Sequence, residues 1–154
     1  MCVKPECDSQ GGQSLTEFAL ALPMLILILL GALDLSRLFE TKVTLANAAR
    51  EGARYGMNAT DPNDRLNNVA KYVALIKNQA INEAANSGVT LTSGQITVNC
   101  LNVASGSAYA NCSLAQIGDQ VRVTINHPFY LISTDLFGVG TLNLSGIASM
   151  VLTN

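Results

Sequence analysis

Few side chains in this 154-residue sequence could do chemistry: four cysteines, one histidine and eleven carboxylates. Glu17 stands out, because it opens an uncharged run of sixteen residues, Phe18–Leu33. A carboxylate costs about 2.5–3.5 kcal/mol at a bilayer centre and less near its edge, so Glu17 must find a partner, be neutral, or sit solvated at the headgroup level. No cation lies near it at helical spacing. Cys100 and Cys112 flank a polar Ser/Asn/Ala-rich loop and could close it, which is worth about 3 kcal/mol in the chain-entropy model. In a reducing compartment they would stay as two thiols. Cys2 and Cys7 do not have zinc spacing, and Cys100, Cys112 and His127 lack close paired spacing, so no metal site is expected. His127 precedes Pro128 at a strand end and reads as structural. Phe137-Gly-Val-Gly140 lacks the strand–glycine–helix setting of a nucleotide loop. Asn58-Ala-Thr60, Asn111-Cys-Ser113 and Asn143-Leu-Ser145 match glycosylation acceptors, a pattern frequent by chance. No catalytic residue and no cofactor is expected, and the protein reads as a non-enzyme.

The elements that hold these residues follow from composition and period. Apolar residues make up 49% and charged ones 13%, with a formal charge of −2, which excludes a disordered tail and leaves no basic surplus for nucleic acid. Phe18–Leu33 has no polar stripe and would run about 24 Å as a helix; with Leu15, Thr16, Leu35, Leu38 and Phe39 it approaches a full membrane span over residues 15–39. Pro23 inside it should kink or loosen the helix. A cleaved signal peptide fits poorly, because Lys4 is outnumbered by Glu6, Asp8 and Glu17 before the run. Lys4 on one side against Arg37, Lys42 and Arg50 on the other would, by charge alone, put the C-terminal part in the cytoplasm.

Helical spacing continues through Leu35, Leu38, Phe39, Val43, Ala46, Ala49, Ala53 and Gly56, so one helix of about 45 residues should leave the bilayer carrying a stripe of small residues. That stripe fits close approach by another helix or by the chain's own domain. A second helix is expected from Asp61 as N-cap and Pro62, with Leu66, Val69, Ala70, Val73, Ile76, Ala80 and Ala84 on one face and Asn86-Ser-Gly88 closing it. The period then changes to two, predicting strands at 89–92, 96–101, 121–125 and 141–151. Two helices followed by a small, mostly antiparallel sheet make an α+β fold.

Gly11-Gly12-Gln-Ser-Leu-Thr-Glu17-Phe18 before an apolar helix resembles a class III prepilin processing site. Leu38-Phe39 and the block Asn47-Ala-Ala-Arg-Glu-Gly-Ala-Arg-Tyr55 resemble the TadE-like pseudopilins of tight-adherence (Tad) pilus systems. Phe18 stands where the major pilins of these systems carry Tyr. The resemblance implies a leader over 1–12, cleavage between Gly12 and Gln13, a long helix over 13–58 and an α+β domain over 59–154. It makes Glu17 and Phe18 assembly residues, and Asn47, Arg50, Glu51, Gly52 and Arg54 family-motif positions. The implied partners are other pilin and pseudopilin subunits, a prepilin peptidase, an inner-membrane assembly platform and membrane lipid. The implied location is the bacterial inner membrane, with the N-terminus cytoplasmic and the C-terminal domain periplasmic or, in a pilus, at the cell surface. On that oxidising side a Cys100–Cys112 bridge is expected. An uncleaved single-pass scaffold of a secretion system, or an anchored surface-binding domain using loop 102–118, is the alternative.

Overall fold

The computed structural model describes residues 10–58, 67–132 and 141–153. Helix α1 spans Gln10–Met57, 48 residues in one piece, and continues through Pro23. It starts three residues before Gln13, inside the segment read as leader, since glycine weakens a helix by only about 1 kcal/mol and does not stop it. Helix α2 spans Val69–Asn86. Strands β1 (Ile96–Leu101), β2 (Gln120–Phe129) and β3 (Leu142–Val151) form an antiparallel sheet in the order β1-β2-β3. The α+β class expected from the periodicity is therefore observed.

Three boundaries differ from expectation. The helix carrying the apolar face begins at Val69, where the Asn68 side chain accepts the Lys71 amide at 3.1 Å. The Asp61–Pro62 opening lies outside the described residues, as do most of the expected leader and Phe137–Gly140. Residues 89–92 form no strand. Gly88, at φ 79°, ends α2 in the left-handed conformation, and the Thr92 amide donates to Gln95 Oε1 at 2.8 Å, so the backbone is tied locally and not to a ladder. Strand β2 runs four residues beyond Ile125, through His127-Pro128. The β1 ladder ends at Ile96↔Ile125, so Pro128 lies where β2 pairs with β3 alone and its missing N–H need not interrupt a second ladder.

The core forms where α1 crosses the sheet beside α2. Leu45, Ala48, Ala49 and Ala53 of α1, Tyr72, Ile76 and Ala80 of α2, and Val121, Val123 and Ile125 of β2 are all sealed from water. The small-residue stripe thus packs on the chain's own domain. A Cβ on Gly52 would sit 3.3 Å from Ala80 Cβ, and one on Gly56 would sit 2.9 Å from Ile76 Cδ1. Tyr72, absent from the face read in the sequence, is buried and donates its hydroxyl to the Gly56 carbonyl at 2.9 Å. Ala70, expected on that face, is exposed.

The closest approach is at Gly146 of β3, where a Cβ would lie 2.4 Å from the Leu45 carbonyl oxygen. No side chain could yield there, because the obstacle is backbone. Gly146→Ala should destabilise the head by about 1–3 kcal/mol through overpacking, while Gly94→Ala, with nothing within 4 Å, should leave it nearly unchanged. Denaturant unfolding of the detergent-solubilised chain, followed by tyrosine near-ultraviolet circular dichroism, checks both.

Candidate functional site

The first turns of α1 carry the processing and assembly residues. Gly12 stands in open space, and Gln13 Nε2 lies 3.4 Å from Glu17 Oε1. Thr16 returns its hydroxyl to the Gln13 carbonyl at 2.7 Å. Glu17 is exposed and Phe18 is 61% exposed. From Leu15 to Leu33 the large apolar side chains of α1 are almost all bare, including Leu20 at 82%. The segment is long and apolar enough to cross a membrane. Water is a poor solvent for such a surface, and a bilayer or a bundle of like helices is a good one.

The changeover between this bare half and the packed half is the carboxylate that directly follows the uncharged run. Asp34 is 2% exposed and accepts the Ile132 amide at 2.7 Å, with the Arg37 guanidinium at 3.6 Å. Arg37 also stacks over the Phe129 ring, 5.4 Å from its centroid. A charged group directly after an uncharged run was the available signal; its burial is a tertiary fact.

Of the block Asn47–Arg54, the residues divide by face. Ala48, Ala49, Gly52 and Ala53 are buried against α2 and the sheet, while Asn47, Arg50 and Arg54 are exposed. Arg54 forks onto Glu51, with Nε at 2.9 Å and Nη2 at 2.7 Å from its oxygens. That hydrogen bonding holds the Glu51 carboxyl below its ordinary range and raises Arg54. Both groups are largely in water, so the pair adds little stability.

At the far end of the head, Cys100 and Cys112 form a disulfide with a Cα–Cα distance of 5.1 Å. Loop 102–118 is further tied down by Asp119, a second buried carboxylate that sequence reasoning missed. It accepts the Val103 amide at 3.2 Å, the Gln116 amide at 2.8 Å and the Tyr109 hydroxyl at 2.7 Å. Asn102 donates to the same Tyr109 oxygen at 2.7 Å.

His127 lies on β2 beside a shallow groove lined by Arg37, Thr41, Thr90 and Phe129. Its Nδ1 is 3.4 Å from Gln95 Nε2, and Gln95 Oε1 is already taken by the Thr92 amide, so the amide nitrogen faces the ring as a donor. This assigns Nδ1 as the unprotonated nitrogen of a neutral imidazole. Among the described residues no three of His, Cys, Asp and Glu gather as metal ligands would.

A bare apolar helix half running unbroken into an α+β head is the form of a protein suited to anchoring by its helix. The family model described as TadE-like protein matches residues 12–54, under a third of the chain. That stretch takes in Gly12, Glu17, Phe18 and the block from Asn47 as far as Arg54, so the resemblance carried by those motifs is borne out over these residues. No curated protein and no solved structure matches the chain.

Burial pushes His127 below its ordinary value of 6.5. The unfolded chain then binds the proton first, so the stability this residue contributes is full above about pH 6.5 and is lost as pH falls through that value toward the folded pKa. Glu51 acts lower, below its ordinary 4.5, and does not share this window. Between pH 7.5 and 5.5 the unfolding midpoint of the native chain should fall more than that of His127→Gln; equal falls would contradict the assignment.

Proposed function

We propose that this chain is a pseudopilin or minor pilin of a Tad-type pilus, made as a precursor and cut between Gly12 and Gln13 by a prepilin peptidase. The observation that carries the reading is the bare apolar half of α1 with Glu17 at its head, inside the stretch that matches the TadE-like model. Hydrolysis of the Gly12–Gln13 amide leaves a carboxylate on Gly12 and an α-amine on Gln13. The Glu17 carboxylate, exposed on the same turn of helix, is then open to the new amine of a neighbouring subunit. In a low-dielectric bundle that pairing relieves two buried charges at once, and leaving either alone is strongly destabilising. Gln13 can also cyclise, which would remove the positive partner. The apolar half of α1 lies among the helices of other pilin subunits or in the inner membrane on the assembly platform, with the head periplasmic or at the cell surface.

The N-terminus of chain purified from membranes should be Gln13 or its cyclised form by mass spectrometry. Gly12 would mean cleavage one bond earlier, and Met1 would favour an uncleaved scaffold. Glu17→Gln should leave insertion intact and abolish incorporation into or priming of filaments; normal assembly by this variant would overturn the pairing. Non-reducing mass analysis of the same material should find Cys100 and Cys112 bridged, as an oxidising location of the head requires. Two free thiols would instead place the head in the cytoplasm.

A further inference from the structure

Helix α1 and strand β2 run in opposite directions across the head, and three contacts fix their register. Gly56 meets Val121, Leu45 meets Gly146, whose ladder partner is Ile125, and Arg37 stacks over Phe129. As α1 is followed back toward its apolar half, β2 is followed forward to its end. The segment leaving β2 therefore emerges on the side of the head nearest the apolar helix. The hydrogen bond that the Ile132 N–H donates to the Asp34 carboxylate sets the same level: this segment lies beside the last turn of the uncharged run. Tyr130 and Ile132 there are 65% and 47% exposed.

Depth follows from helix rise. Glu17 and Asp34 are about 25 Å apart along α1, and a bilayer's hydrocarbon core is about 30 Å thick. With Glu17 at one edge of that core, Asp34 and the loop hydrogen-bonded to it come within about 5 Å of the opposite edge. Leu35 and Phe39, at 54% and 61% exposure, extend the apolar surface of α1 past this level.

We propose that Tyr130–Ile132 is a membrane-interface anchor, holding the head against the phospholipid bilayer that contains α1. This rests on the membrane-anchoring reading of α1. Tyr130 has the character suited to the headgroup level, an apolar ring with a polar tip, and Ile132 that of the acyl boundary. Arg37 at the same level is held by Asp34 and the Phe129 ring and fixes the end of β2 against α1 there. Asp34 supplies the partner that keeps the loop's amide from being bare in this setting.

The chain contains no Trp, so a single introduced Trp is a unique fluorophore. Tyr130→Trp and Ile132→Trp, with Leu25→Trp in the apolar half and Ile117→Trp before the other end of β2, about 30 Å away along the strand, are read in the full chain. Each is reconstituted at high lipid-to-protein ratio into phosphatidylcholine vesicles brominated at shallow or deep acyl positions. Leu25→Trp should be quenched most by deep bromines. Tyr130→Trp and Ile132→Trp should be quenched by shallow bromines at least twofold more than Ile117→Trp. Quenching at Leu25→Trp with the two loop positions no different from Ile117→Trp overturns the anchor and leaves the span standing. Blue-shifted loop emission without bromine quenching means cover by protein, and overturns it equally. No quenching at Leu25→Trp removes the span itself and the proposal with it.

Discussion

One rod has to satisfy two solvents, and everything else in the structure is arranged around where it changes over. Below Asp34, α1 presents Leu, Ile, Met and Phe in all directions with almost none of it covered. Above Asp34 the same helix presents Ala48, Ala49, Gly52, Ala53 and Gly56 to the head, residues small enough for another backbone to come close. The contact of Gly146 with the Leu45 carbonyl shows how close: sheet and helix meet backbone to backbone. A three-stranded sheet with one further helix is a meagre core by itself. The inner faces of Val121, Val123 and Ile125 are closed only because α1 lies over them, so the head has no independent existence from the upper half of its own anchor.

Among the described residues two carboxylates are buried, and they serve loops at opposite ends of β2. Asp119, just before the strand, gathers the amides of Val103 and Gln116; Asp34, on the helix, takes the amide of Ile132 just after it. Each satisfies backbone donors that a tight loop leaves without secondary-structure partners, at a cost in desolvation that several hydrogen bonds offset. The disulfide reinforces the first loop and Arg37 the second, through Asp34 on one side and Phe129 on the other. Loop 102–118 and residues 130–132 are thus tied to the scaffold by polar contacts, with exposed apolar side chains beside those ties.

The period of the sequence carried most of this architecture. Helix α1 was legible to within a few residues of each end, because an uncharged run long enough for a helix passes directly into 3.6-residue spacing in the small-residue half. Strands β1 and β3 were legible from alternation, and Gly88 from its place after α2. What escaped is what depends on neighbours. Tyr72 is polar at its tip, and its burial depends on neighbours such as the Gly56 carbonyl, which accepts its hydroxyl. Asp34 and Asp119 look like surface charges until the loops they bind are in place. Residues 89–92 alternate like a strand but find no ladder, and the end of β2 looked closed by His127-Pro128 because the sequence does not say which neighbour has already ended. Of the candidate site, the residue types and their order were legible, whereas the split of Asn47–Arg54 into a buried and an exposed face needed the head.

The distribution of basic residues bears on orientation differently once they are seen in place. Arg37, Lys42 and Arg50 outnumber Lys4, which by simple count favours a cytoplasmic head. The count applies to short loops, and the part of the chain beyond the span is over 100 residues, a folded domain of the kind that crosses largely regardless of charge. Two of the three are also engaged with the head: Arg37 on Asp34 and Phe129, and Lys42 on the Ser145 carbonyl. Only Arg50, on the exposed side of α1, stands clear of the head, about 24 Å along the helix from Asp34. It is beyond two Debye lengths at physiological salt, too far to act strongly on a charged leaflet. The charge count therefore weighs little against the head location proposed above, with which the Cys100–Cys112 disulfide agrees.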